Sequence, residues 1–161
     1  MKVASFDIVF QEIPGEVTLA LNLSGCPCHC KGCHSPHLWE DTGEQLDEAL
    51  LNSLIGTYKG LITCVAFMGG DQAPEEVARL AAHVKISSLS LGEGRGEVLK
   101  TAWYSGRIKM PAEDGPFDYV KIGPYREELG GLKSEKTNQR LYKRVGSSWE
   151  DITSSFWRKT L

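Results

Sequence analysis

Apolar residues along this chain recur in two rhythms, and the switches between them outline the fold. Residues 5–10 form a first apolar stretch, read as a strand ending before Pro14-Gly15. That pair suits a type II turn, with proline at the second position and glycine at the third. From Val17 the period is two: Val17, Leu19, Leu21 and Leu23 share one face, and Thr18, Ala20, Asn22 and Ser24 the other. This second strand runs directly into Gly25-Cys26. Over residues 44–58 the spacing becomes helical, with Leu46, Leu50, Leu54 and Tyr58 in step. Residues 61–67 are apolar and β-prone, and they lead into Met68-Gly69-Gly70-Asp71. A second helix is predicted from Pro74, a residue favoured at the first helical position, with Glu75 and Glu76 at the positive end of its dipole. Its buried stripe would be Val77, Leu80, Ala81 and Val84. Residues 92–96 read as a turn and 98–104 as a strand. Residues 117–122 and 140–145 read as further extended segments, and the polar residues 124–139 as a surface loop. There is no internal repeat.

Strands alternating with helices predict βαβ units and a largely parallel sheet. The 161 residues fit one domain, 1–161. A closed eight-fold barrel rarely fits in under about 200 residues, and at roughly 30 residues per unit there is room for about five. The expected architecture is therefore α/β, a partial, open (βα) barrel with a mostly parallel sheet. If the strands ending at Ser24 and Phe67 are parallel, residues 26–33 and 69–71 emerge at the same carboxyl edge. Ligand sites collect at that edge.

Composition narrows the class. An apolar fraction of 41% and a charged fraction of 24% are ordinary for a globular domain. The net charge of −3 speaks against nucleic acid as a partner, which usually requires a basic footprint. No apolar run approaches the roughly 20 residues of a membrane span. Residues 1–10 lack a signal-peptide layout, so a cytoplasmic location is expected. The cysteines sharpen this. Cys26, Cys28, Cys30 and Cys33 crowd together while Cys64 stands apart. Disulfide frameworks spread their cysteines to staple distant loops, whereas crowded thiols read as metal ligands.

The crowded segment is Gly25-Cys26-Pro27-Cys28-His29-Cys30-Lys31-Gly32-Cys33-His34. Thiolates are the usual protein ligands of iron–sulfur clusters. A structural zinc site is the alternative, with Cys28, His29, His34 and His37 as spare ligands. Zinc knuckles, however, use two separated ligand pairs, and no second pair follows downstream. A thiol-redox motif at Cys30-Lys31-Gly32-Cys33 lacks the expected strand context. Cys64, within an apolar strand, reads as a buried core thiol. Trp39, Trp103 and Tyr104 read as core or cleft-wall residues. Gly69 and Gly70 at a strand end let the backbone approach a ligand closely, and exposed carbonyls there can accept from an ammonium group. Asp71 is expected to order this loop or cap the following helix.

The spacing of Cys26, Cys30 and Cys33 closely resembles the signature of the radical S-adenosylmethionine superfamily. That resemblance implies a [4Fe–4S] cluster held by these three cysteines, with one iron left for the methionine amino and carboxylate groups of S-adenosylmethionine. It implies that Gly69 and Gly70 contact the methionine amino group, and that Gly32, Cys33 and His34 lie beside the adenine. Cys28 is left out of the ligand set. Histidine at position 34 departs from the superfamily's usual tyrosine or phenylalanine.

Over nearly the full length the chain also resembles the activating proteins of anaerobic ribonucleoside-triphosphate reductases. The similar segments are Phe6-Asp7-Ile8-Val9, Ser24-Gly25-Cys26, Gly69-Gly70-Asp71 and Trp103-Tyr104-Ser105-Gly106. They continue with Asp118-Tyr119-Val120-Lys121, Gly123-Pro124-Tyr125 and Asn138-Gln139-Arg140. Gln72 stands where that family commonly has proline. The resemblance implies a glycyl-radical activase: a 5′-deoxyadenosyl radical takes hydrogen from a glycine Cα of the large reductase subunit. The implied partners are that subunit and a flavodoxin or ferredoxin-type electron donor. The cofactor carries the chemistry, so no acid–base side chain is expected. Residues 126–140 are a candidate docking segment, with a solvated loop as the default. The alternatives are an activase of the pyruvate formate-lyase type and a non-enzymatic zinc-binding module.

Overall fold

The computed structural model describes residues 1–90 and 98–157, so the turn expected at residues 92–96 lies outside the described residues. Its elements are β1 (Lys2–Val9), β2 (Thr18–Leu23), β3 (Glu44–Gln45), α1 (Glu48–Thr57), β4 (Cys64–Met68) and α2 (Pro74–Ser90). They continue with β5 (Lys100–Tyr104), β6 (Tyr119–Ile122), β7 (Arg140–Val145) and β8 (Ser148–Asp151). The eight strands form one sheet in the order β3-β1-β2-β4-β5-β6-β7-β8.

This sheet is mixed, which corrects the expected mostly parallel, partial (βα) barrel. Only β2/β4, β4/β5 and β5/β6 pair in parallel. The pairings β1/β2, β1/β3, β6/β7 and β7/β8 are antiparallel. A parallel pairing needs a crossover that returns the chain to the same end of the sheet. Among the described residues just two α-helices supply one, α1 between β2 and β4 and α2 between β4 and β5. The outer strands are added as hairpin-like neighbours, so antiparallel pairing follows. Strand β8 leaves no signature in the sequence, because Ser148, Trp149, Glu150 and Asp151 carry no apolar run; as an edge strand it is largely exposed. No helix among the described residues is long and apolar enough to cross a membrane.

The sheet carries a core on each face. Leu19, Leu21, Leu23, Val65, Phe67, Trp103 and Val120 face the helices, where they meet Leu51, Leu54, Val77, Leu80, Ala81 and Val84. The predicted stripe of α2 is thus the buried one. On the opposite face Cys64, Ala66, Ala102, Tyr119 and Leu141 pack with Ile13, while Leu132, Ile152 and Phe156 cover them from outside. This second cover explains why β2 is buried on both faces rather than alternating. Helix α1 is shorter than its pattern. It starts after Asp47, whose side chain accepts a hydrogen bond from Leu50 N at 2.8 Å, an N-cap. Glu44 and Gln45 instead pair with Val3 and Lys2. Gly43 makes that approach possible: at φ +103°, a Cβ there would lie 2.2 Å from the Val3 carbonyl oxygen.

The parallel centre retains what the site requires. Asn22 of β2 sits beside Met68 of β4, and Met68 beside Tyr104 of β5. Residues after β2, β4, β5 and β6 therefore emerge at one edge.

Candidate metal centre

Hydrogen bonds between these loops build the site from the edge upward. Gly25 N donates to Glu40 O at 3.0 Å and Cys26 N to Leu38 O at 2.9 Å, closing the cysteine segment against a short helical turn at Pro36–Trp39. Cys33 N donates to Cys30 O at 3.1 Å, and Ser35 N to Cys33 Sγ at 3.4 Å. His29 holds a φ of +44°, in the left-handed region that non-glycine residues seldom occupy. Its ring stacks on Trp39 with centroids 4.8 Å apart and planes 10° apart. Gln72, the departure noted in the sequence, donates to Ser24 O at 2.9 Å and clamps the start of the cysteine segment.

Asp71 ties the next loops together. It is buried, and its carboxylate accepts from Ser105 Oγ at 2.5 Å and Gly106 N at 2.9 Å. Cys28 Sγ donates to it at 3.8 Å. The residue orders loops and does not cap α2. Above it opens a cavity of about 560 Å³, lined by Cys26, Cys28, Cys30, Cys33, Gly69 and His34, among others. That volume lies within the roughly 300–1,000 Å³ usual for small-ligand sites.

The expected site residues separate on inspection. Cys26, Cys30, Cys33, Gly69 and His34 share the cavity. His34 is also 5.1 Å from the Tyr125 ring, at a 60° tilt. Gly70 is buried beneath, where a Cβ would come 2.6 Å from Val77 and 2.9 Å from Leu23. Its lack of a side chain serves packing. Gly32 is exposed, and a Cβ there would approach the Glu127 side chain within 3.1 Å. Cys64 is fully buried in the second core, as read, and burial pushes its thiol pKa up. Trp103 is buried and donates its indole N–H to Gly69 O at 2.7 Å, fixing the glycine turn from below.

Lys121 was not singled out as a site residue. It lies on β6, buried, with its ammonium donating to Gly123 O at 2.8 Å and Ser105 O at 3.2 Å. Burial lowers its pKa to about 8, against the opposing pull of Asp71, Cys30, Cys28 and Cys26. The signal was present: position 121 shares a strand face with Tyr119, so a lysine there is polar where the pattern is apolar. Cys28 responds oppositely. Burial, then Asp71 and the neighbouring thiols, push it up to about 12, so it keeps its proton.

The donor set fits an iron–sulfur cluster. All five cysteines are free thiols, and four of them ring one cavity. Among the described residues no three His, Cys, Asp or Glu side chains converge as a single ion needs. A cubane instead takes each thiolate on a different iron, so its ligands stand apart.

The donor set is consistent with an iron–sulfur protein. Residues 14–92, just under half of the chain, match the family model of the 4Fe-4S single cluster domain. That stretch contains every cysteine and both helical crossovers apart from the end of the second. No curated protein and no solved structure matches the chain.

Proposed function

We propose that the chain is a radical S-adenosylmethionine enzyme that installs the glycyl radical of an anaerobic ribonucleoside-triphosphate reductase. One observation carries this reading: Cys26, Cys30, Cys33 and Gly69 line a single cavity at the carboxyl edge of the parallel strands. A [4Fe–4S] cluster bound there would pass one electron to S-adenosylmethionine, splitting a sulfonium carbon–sulfur bond into methionine and an adenosyl radical that takes hydrogen from a glycine Cα.

The chain's own residues bind, orient and shield. Cys26, Cys30 and Cys33 would hold the cluster. Gly69, at φ +102°, presents bare backbone to the cavity. Lys121 lines the cavity beside the cysteines and is held by Gly123 O at 2.8 Å. Leu38, Trp39, Met68 and Tyr104 give the cavity apolar walls that exclude water from a reactive radical. Gln11, Glu12, Leu132 and Lys133 border the same cavity, a rim across which a polypeptide segment of the large reductase subunit would enter. A flavodoxin or ferredoxin-type protein would supply the electron.

Anaerobic reconstitution with iron and sulfide tests the cofactor. Addition of S-adenosylmethionine, reductant and candidate partners then tests the substrate. The expected result is a glycyl radical signal by electron paramagnetic resonance on the reductase and none on a pyruvate formate-lyase. A colourless protein with stoichiometric zinc would sink the enzyme reading.

A further inference from the structure

Cys26, Cys30 and Cys33 can share one cluster only if the chain between them is turned the right way, and the middle of that loop has the fewest ties. Its ends are fixed by backbone hydrogen bonds. Gly25 N donates to Glu40 O at 3.0 Å and Cys26 N to Leu38 O at 2.9 Å at one end, and Cys33 N to Cys30 O at 3.1 Å at the other. Among the described residues, no backbone–backbone hydrogen bond reaches residues 27–29. Yet His29 holds a φ of +44°, and no other non-glycine residue among those described has a positive φ. An L-residue enters that region at a cost of roughly tenfold in population. Surrounding contacts must therefore hold it there.

What holds it is Trp39. The two rings lie 4.8 Å apart with their planes 10° apart, although His29 itself is exposed. Trp39 is anchored in turn. It ends the short helical turn Pro36–Trp39, and Leu38 O and Glu40 O on either side of it receive the bonds from Cys26 and Gly25. Trp39 is half-buried and lines the cavity. The stack thus ties the centre of the cysteine loop to the same turn that grips its start. The reversal at His29 also divides its neighbours. Cys28 Sγ lies against Asp71 and Gly106, while Cys30 continues into the bonded turn with Cys33.

We propose that the His29–Trp39 stack is a clamp that sets the cysteine loop for its cluster, so that both are positioning residues for Cys30 and neither is a ligand. The inference rests on the cluster reading above. The clamp makes no bond to the metal. It holds the loop in its ligating shape beforehand, which leaves less ordering for cluster binding to offset.

Release of iron from the anaerobically reconstituted protein to an excess of chelator tests this, followed by bound iron and visible absorbance. His29→Ala and Trp39→Ala should each speed release about fivefold, the worth of one aromatic pair. The double variant should release no faster than the faster single, because both changes remove the same contact. His29→Phe keeps a ring without its nitrogens and should release at a rate near that of the unaltered protein. Melting of the metal-free protein should hardly move in His29→Ala, since His29 is exposed and belongs to neither core. Release from His29→Phe as fast as from His29→Ala overturns the clamp, because the imidazole nitrogens and not the stack then hold the cluster. A double variant whose effect is the product of the two singles overturns it too, since the rings then act separately. Unchanged release from every variant also overturns it, and leaves the proposed function standing. A chain that takes up no cluster removes both.

Discussion

The two ends of the parallel strands bury polar groups in opposite ways. At the amino end, Glu16 is buried and fully engaged: it accepts from Lys100 at 2.5 Å, Thr63 at 2.6 Å and Tyr119 at 2.8 Å. At the carboxyl end, four thiols and the Lys121 ammonium border an open cavity. Buried polar groups must find partners or lose several kcal/mol. At one end the chain supplies the partners from its own strands, and the group serves the fold. At the other, four half-buried thiols border the cavity, among them the donor set proposed above to hold the cluster.

The largest test of this contrast removes a thiol. Cys30→Ala should abolish cluster uptake, measured as bound iron and visible absorbance, and with it all glycyl radical formation. Melting temperature of the metal-free protein should hardly change, because Cys30 is half-buried and its side chain anchors no part of the core. A variant that keeps its full iron would break the ligand assignment.

Next comes Gly70, which stands beneath the cavity, packed against Val77 and Leu23. At φ +84° a side chain is already strained, and its Cβ would collide with Val77 and Leu23. Gly70→Ala should cost about 2–3 kcal/mol, from overpacking and the left-handed backbone together. Urea unfolding of the metal-free protein measures it. The same change at Gly69, whose nearest contact would be 3.3 Å, should cost less stability yet impair S-adenosylmethionine binding.

How far these features were legible differs by scale. The β2–α1–β4 unit and the meeting of its two loops followed from periodicity, because core strands and an amphipathic helix stamp their spacing on the sequence. The start of α2 at Pro74 with its buried stripe, and β7 at Arg140–Val145, followed likewise. The antiparallel margins did not follow: β3 is two polar residues held by Gly43, and β8 carries no apolar pattern. Nor could sequence divide Gly69 from Gly70, since both are side-chain-free and only the packing of Val77 and Leu23 tells them apart. Lys121 was readable as a polar intruder on a strand face, but its partners, two carbonyls of other loops, were not.

At the amino end, the network should show itself in acid. Burial alone would push the Glu16 carboxyl up, but hydrogen bonds from Lys100, Thr63 and Tyr119 outweigh it and hold the pKa below its usual 4.5. The unfolded chain then binds more protons than the native one just below that value. Stability is present above it and is lost as pH falls through the native pKa. Glu16→Gln should therefore cost about 2 kcal/mol at neutral pH, discounted because Lys100 is partly exposed. It should also flatten the acid limb of stability against pH. An unchanged acid limb would assign it to other carboxylates.

The smallest effect tests the boundary between the two kinds of site, which runs through Cys28. This thiol lines the cavity with the three proposed ligands, yet it touches Asp71 and Gly106 as a structural group does. An S–H···O contact of 3.8 Å is weak, so Cys28→Ala should cost only about 1 kcal/mol, mostly for the lost sulfur packing. The loop keeps its other ties: Gln72 to Ser24, Cys26 N to Leu38, and the ring of His29 on Trp39. Iron content should therefore stay at about four per chain, and the glycyl radical signal should be largely spared. If loss of Cys28 empties the site as completely as loss of Cys30, then Cys28 is a ligand, and the cavity holds a cluster without an open iron for S-adenosylmethionine.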